Sequence, residues 1–275
     1  MSTSAAEFTV QACMASDIGC QRESNEDAVA FVCPDDADLQ QRLGVLAVVA
    51  DGMGGHLGGE VASALAIETI CRSYFATPAD QDPLRAIELA VLQANRDIYR
   101  AGQADPALAG MGTTATALVL LPTRAFFAHV GDSRLYRCAQ GRCSQLTDDH
   151  TLVEQMLKDG LIGAEEARRH PLRNMLLRSL GTVCGLRVAV QRCDAPAIGD
   201  TFVLCSDGLY GSVEPADIAE IVGSLEPEAA CQRLIELARE RDGSDNISVG
   251  VIVIRAIEAA GQALPARHSR PAAVQ

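Results

Sequence analysis

Apolar and polar positions alternate along residues 8–15, the pattern of a strand with one buried face, and residues 28–33 form a second apolar run. Residues 43–50 are a nearly unbroken run of Val, Leu and Ala, which reads as a buried strand. Similar runs at 115–121, 124–130, 201–206 and 247–254 predict further strands. Only Pro122 and Thr123 separate two of them, too short a connection for a crossover helix, so these two pair as an antiparallel hairpin. A shorter hairpin is expected from 135–138 and 141–146.

Helical spacing takes over at 60–76, where Ala62, Ala64, Ala66 and Ile67 supply small packing residues. It returns from Pro83 through Ile87, Val91, Ala94 and Ile98, and again at 215–222 and 227–241. Residues 34–41 read as an acidic loop, while 152–180 look helical but irregular, interrupted by Gly160, Gly163 and Pro171 as in a flap beside a site. Residues 258–275, rich in Ala, Pro and Arg, are expected to be a flexible tail, leaving 1–257 as one domain.

The polar punctuation between these elements carries the chemistry. The run at 43–50 ends in Asp51-Gly52-Met53-Gly54-Gly55-His56. A single Asp-Gly serves equally well to close a turn. The device recurs, however: Asp132 and Asp207 also end predicted strands, and Asp245 precedes the last one. If those strands lie side by side, their carboxylates share one rim, and carboxylates so placed repel unless protons or a cation neutralise them. The Gly52 carbonyl adds a further hard oxygen of the kind that divalent cations accept. Arg22, Glu26 and Asp27 lie in a polar knot that by composition alone is a solvated turn, but Arg22 offers a two-pronged donor for phosphate. Metal ligands and an arginine, without an evident nucleophile, point toward hydrolysis by an activated water.

Composition narrows the field. The 275 residues are 48% hydrophobic and 21% charged, the make-up of a folded chain able to bury a sizeable core. A net charge of −13 disfavours nucleic acid and anionic membranes as partners and suits the recruitment of cations. Lys158 is the only lysine among 23 basic residues, so anion binding falls to arginine, and no phosphate-loop motif exists. The ten cysteines contain no C-x-x-C pair and show no recognisable disulfide framework. With no basic residue or long apolar run in the first 19 positions, a secretory signal is not expected, nor any membrane insertion. A cytoplasmic location with reduced thiols, most of them buried, is the corresponding expectation.

Six motifs together resemble the metal-dependent protein serine/threonine phosphatases of the type 2C (PPM) family, most of all its compact bacterial members. They are Arg22-x-x-x-Glu26-Asp27, Asp51-Gly52-Met53-Gly54-Gly55-His56, Gly112-Thr113-Thr114, Gly131-Asp132-Ser133-Arg134, Ser206-Asp207-Gly208 and Asp245-Asn246. The resemblance implies an α+β fold with two central antiparallel β-sheets in a sandwich, flanked by pairs of α-helices and carrying a helical flap. It also implies that Asp51 bridges two Mn²⁺ or Mg²⁺ ions, with the Gly52 carbonyl on one and Asp207 and Asp245 on the other. Glu26 and Asp27 would then orient water, Arg22 would hold the substrate phosphate, and Asp132 with Asp207 would bind a third, weaker metal. Its implied activity is hydrolysis of phosphoserine and phosphothreonine on proteins, in a monomer that reverses a bacterial Ser/Thr kinase. Better-known eukaryotic members have Asp-Gly-His where this chain has Asp-Gly-Met, so Met53 cannot be a general acid and the leaving-group proton is expected from metal-bound water. His56 stands close by as a possible secondary site residue, although a lone histidine in a Gly-rich turn is more often structural.

Three other classes fit less well. An aspartyl-phosphate phosphatase needs a second Asp at position 53, which is Met. A calcium-binding loop of the D-x-[DN]-x-[DN]-G type is absent. A non-catalytic metal-binding phosphopeptide module of the same fold would be signalled by loss of Asp51, Asp207 or Asp245, and all three are present.

Overall fold

The structure, a computed structural model, describes residues 8–54 and 57–257. His56 and the expected tail at 258–275 lie outside the described residues. The strands are β1 (Phe8–Asp17), β2 (Asp27–Val32), β3 (Val45–Met53), β4 (Gly112–Thr113), β5 (Ala115–Leu121), β6 (Arg124–Val130), β7 (Arg134–Ala139), β8 (Arg142–Gln145), β9 (Ala189–Cys193), β10 (Thr201–Cys205) and β11 (Ile247–Ala256). The helices are α1 (Ala37–Leu43), α2 (Gly58–Phe75), α3 (Pro83–Ala104), α4 (Leu152–Lys158), α5 (Ala164–Arg169), α6 (Asp207–Tyr210), α7 (Pro215–Ser224) and α8 (Pro227–Arg241).

Two antiparallel sheets form the centre, one ordered β1-β11-β10-β7-β8 and the other β2-β3-β5-β6-β9, with β4 pairing to the end of β3. Both sheets are covered on both faces, which is why their central strands are nearly continuous apolar runs. Along β3, Leu46, Val48 and Ala50 face α2 and α3, whereas Val45, Ala47 and Val49 face the opposite sheet. In β11, Val249, Val251 and Val253 pack under α7 and α8 while Ile252 and Ile254 join the inter-sheet core. Helix pair, sheet, sheet, helix pair is therefore the layer order, and the expected α+β sandwich holds.

Four local expectations change. Residues 34–41 are partly helical, because Asp36 caps α1 by accepting from the Asp38 and Leu39 N–H groups. The segment 152–180 is helical only through α4 and α5; beyond Pro171 it becomes an irregular strap tied by single bridges to Thr113 and Thr151. Strand β9, too mixed in polarity to stand out, is held by its pairing with β6. Finally, Cys138 and Cys143 face each other across the β7–β8 hairpin and form a disulfide, and of the remaining thiols only Cys205 and Cys231 are buried. The expectation of uniformly reduced and mostly buried cysteines is corrected on both counts.

Candidate metal centre

The acidic residues do not come from neighbouring strands of one sheet. Asp51 lies in β3 and Asp132 just after β6, in one sheet, whereas Asp207 follows β10 and Asp245 precedes β11 in the other. They meet because both sheets end at the same edge of the sandwich. There a cleft of about 440 Å³ is lined by Arg22, Glu26, Asp51, Asp132, Asp207 and Asp245, with Gly52, Met53 and Asn246. Asp27 is not on its wall. It pairs in register with Asp51 on the neighbouring strand and accepts a hydrogen bond from Ser206 Oγ at 2.7 Å.

Each carboxylate is placed by its backbone. The Asp51 N–H donates to Thr114 Oγ1 at 2.9 Å, and the Asp51 carbonyl accepts from the Thr114 N–H at 2.8 Å and from Thr113 Oγ1 at 2.8 Å. Gly52 donates to the Glu26 carbonyl at 3.0 Å, and a Cβ there would collide with the carbonyls of Gly59 and Glu26, so only glycine allows this approach. Gly131 precedes Asp132 with φ +106° and sits against the Thr114 side chain, again a glycine position. Asn246 ties the far side together: its Oδ1 accepts from the Glu26 N–H at 2.8 Å, and its Nδ2 donates to the carbonyls of Ile18 and Ser24 at 3.0 and 2.9 Å. Arg22 Nη2 reaches Asp245 at 2.7 Å and remains about half exposed, leaving donors free toward the cleft.

The electrostatics are those of negative charge without enough compensation. Burial, and then the carboxylates of Asp27, Asp207, Asp132 and Asp245, push Asp51 well above the usual carboxylate range. Burial together with Asp207 and Asp149 raises Asp132 to about 7. Asp27 rises to about 7 and Asp207 to about 6, in both cases chiefly through burial and next through like-charged neighbours, partly offset by hydrogen bonds. Neutralisation by protons or by a cation would relieve this repulsion.

Among the described residues, no three His, Cys, Asp or Glu side chains close on one point as a finished ligand cage. Small divalent cations that retain several waters need only one or two carboxylates each, and the set here is all oxygen: carboxylates and the Gly52 carbonyl. The donor chemistry and the uncompensated charge therefore fit Mn²⁺ or Mg²⁺.

A protein phosphatase 2C model matches residues 21–240. The chain belongs to the protein phosphatase 2C family. It is 37% identical over 236 residues to the serine/threonine protein phosphatase PstP of Mycobacterium tuberculosis, covering 86% of this chain but 43% of that protein. The chain thus spans less than half the length of that relative. Protein phosphatase PhpP of Streptococcus pneumoniae is 34% identical over 243 residues, covering 86% of this chain and 94% of that one. A crystal structure of the PstP catalytic domain in complex with two manganese ions superposes with a TM-score of 0.78 at 33% identity, covering 90% of this chain and all of that domain.

Within this phosphatase 2C fold, sequence reasoning overlooked the supporting residues rather than the acids. Thr114, Ser206 and Asn246 lay inside the motifs but were given no role. Their signal was adjacency to an acid at a strand end. Asn174, from the strap, also lines the cleft, and nothing local in the sequence marks it.

Proposed function

We propose that this protein hydrolyses phosphoserine and phosphothreonine on proteins, using two Mn²⁺ or Mg²⁺ ions at Asp51, the Gly52 carbonyl, Asp207 and Asp245. The single observation carrying this reading is one cleft that joins Asp51, Asp132, Asp207 and Asp245 to the partly free guanidinium of Arg22. When bound, such ions supply the Lewis acidity that activates a water for attack on phosphorus. Arg22 then directs its fork at the phosphoryl oxygens, with Asp245 fixing its orientation. Glu26 and Asp27 act as orienting groups, Glu26 at the cleft wall and Asp27 beside Asp51, itself held by Ser206. Met53 lines the cleft and offers no proton, so the leaving alkoxide is protonated by solvent that the open cleft admits.

The finer features belong to the same proposal: Asp132 and Asp207 as a third, weaker metal site, a monomer, a cytoplasmic location and a Ser/Thr kinase as functional counterpart. No helix among the described residues is long and apolar enough to cross a membrane. The Cys138–Cys143 bond sits poorly with a reducing compartment. The test is release of phosphate from p-nitrophenyl phosphate and from a phosphothreonine peptide, with and without Mn²⁺, and with Asp207→Ala. Activity indifferent to both changes sinks the mechanism; peptide binding without phosphate release gives the non-catalytic module instead. Asp132→Ala should lower turnover while calorimetry still counts two tightly bound Mn²⁺.

A further inference from the structure

The strap of residues 170–180 separates two cavities that share no lining residue. Asn174 and Leu176 line the metal cleft, while Leu177 and Arg178 line a second cavity of about 570 Å³ walled also by β6, β9 and α4.

This second cavity contains a mismatch of hydrogen-bond donors. The Gly131 N–H donates to His150 Nδ1 at 3.1 Å, so the neutral ring carries its proton on Nε2. The ring is neutral, since burial first and then His129, Arg178 and Lys158 lower its pKa to about 3. Nε2 nevertheless faces Arg178 Nη1 at 3.3 Å, and a guanidinium has no acceptor to offer. Two N–H donors therefore meet with no acceptor between them.

The surrounding charges leave this demand unmet. Asp148 and Glu154 are engaged by Lys158 at 3.0 and 3.6 Å, Asp149 by Arg134, and Glu88 by Arg85. Among the described residues, Arg178 has no carboxylate partner, and Arg187, on another part of the wall, has no side-chain hydrogen bond or ion pair.

We propose that this cavity is a binding site for a phosphate-type oxyanion, free or carried by a small metabolite, held by Arg178 and the His150 Nε2–H, with the positive charge of Arg187 on the same cavity wall in support. An oxyanion supplies the acceptors that the facing donors lack, and charge-assisted bonds to guanidinium are the strong kind. The cavity is far larger than a bare tetrahedral ion, so it admits the organic body of a phosphomonoester as well. Its occupant bears on catalysis through backbone: His150 donates its N–H to the Gly131 carbonyl at 2.7 Å and accepts at its own carbonyl from Leu177 at 2.7 Å. The bound anion thereby ties the strap to the loop that carries Asp132.

The test is titration calorimetry on the full chain with metals removed by chelator, so that no ester is hydrolysed, using inorganic phosphate and a hexose monophosphate as probes. One equivalent should bind. Arg178→Gln, verified as folded by circular dichroism, should weaken binding at least about tenfold, Arg187→Gln should weaken it by a smaller but measurable factor, and Arg22→Gln should leave it unchanged. Tighter binding of the hexose monophosphate assigns the site to a metabolite; preference for phosphate assigns it to the free ion. No binding of either probe, affinity unmoved by both cavity substitutions, or affinity lost on Arg22→Gln overturns the proposal. Position 187 is exposed, so Arg187→Gln keeps the test decisive should Arg178→Gln fail to fold.

Discussion

The acidic rim and the strap face each other across one cleft and are built in opposite ways. Residues supporting the rim are buried: Ser133 and Ser206 are fully enclosed and Asn246 is 5% exposed, each hydrogen-bonded to a neighbouring segment. On the strap, Leu172, Met175 and Leu177 are 46 to 52% exposed, and the backbone is held by isolated bridges rather than a ladder. On the proposed function, the contrast separates chemistry from substrate recognition. Carboxylates that repel one another must be held by an over-determined frame, whereas a surface that meets varied protein partners needs few fixed contacts.

The strongest way to break the comparison is to remove charge from the rim. Asp51→Asn should cut turnover by about 10³-fold or more while the metal-free protein melts no lower than the wild type, because a repelled carboxyl is replaced by an amide that never ionises. Steady-state kinetics with Mn²⁺ alongside calorimetric melting checks both halves. A destabilised variant would show that the rim is held by its charges rather than in spite of them.

Arg22→Ala should reduce kcat/KM by about 10²-fold, the loss of a charge-assisted phosphate contact, with metal stoichiometry preserved. Metal counting beside the kinetics distinguishes this from a collapsed centre.

The pH dependence of the chelated protein comes next. Asp27 and Asp132 have folded pKa values of about 7, above their unfolded value of 3.8, so the fold is favoured while they are protonated and loses that stability as pH rises through 7. Buried His129 and His150, lowered to about 4 and about 3, act in the opposite direction, but only below the unfolded histidine pKa of 6.5. Between pH 6.5 and 8 the carboxylates dominate, and stability should fall by about 1 to 2 kcal/mol, a loss that Mn²⁺ reverses. A melting temperature that rises across this window without metal contradicts the account.

The smallest effect belongs to the strap. Leu172→Ser and Met175→Ser should change stability by no more than about 0.5 kcal/mol and leave p-nitrophenyl phosphate turnover intact, yet raise KM for a phosphoprotein. Equal effects on both substrates would make the strap part of the frame.

Much of this was legible beforehand because strands buried on both faces write themselves as apolar runs, and Asp51, Asp132, Asp207 and Asp245 each mark where such a run meets water. The helix at Ala37–Leu43 was missed because an acidic stretch resembles a loop until Asp36 is seen to cap it. Strand β9 was missed because its alternation is weak and its position depends on β6. The flap was read as more helical than it is, since the apolar residues between Pro171 and Leu180 are placed by bridges to Thr113 and Thr151 and not by helical spacing.

By itself the sequence determined most of the elements, the chemical type of the site and the family, since runs, glycines and acidic strand ends are local properties of a few adjacent residues. Only the tertiary structure decided that the acids come from two sheets and not one. It placed Asp27 beside Asp51, with Ser206, 179 positions away, holding it. It also brought His150 Nε2 and the Arg178 guanidinium face to face. Each of these depends on strand register and sheet packing between distant segments, which no local pattern encodes.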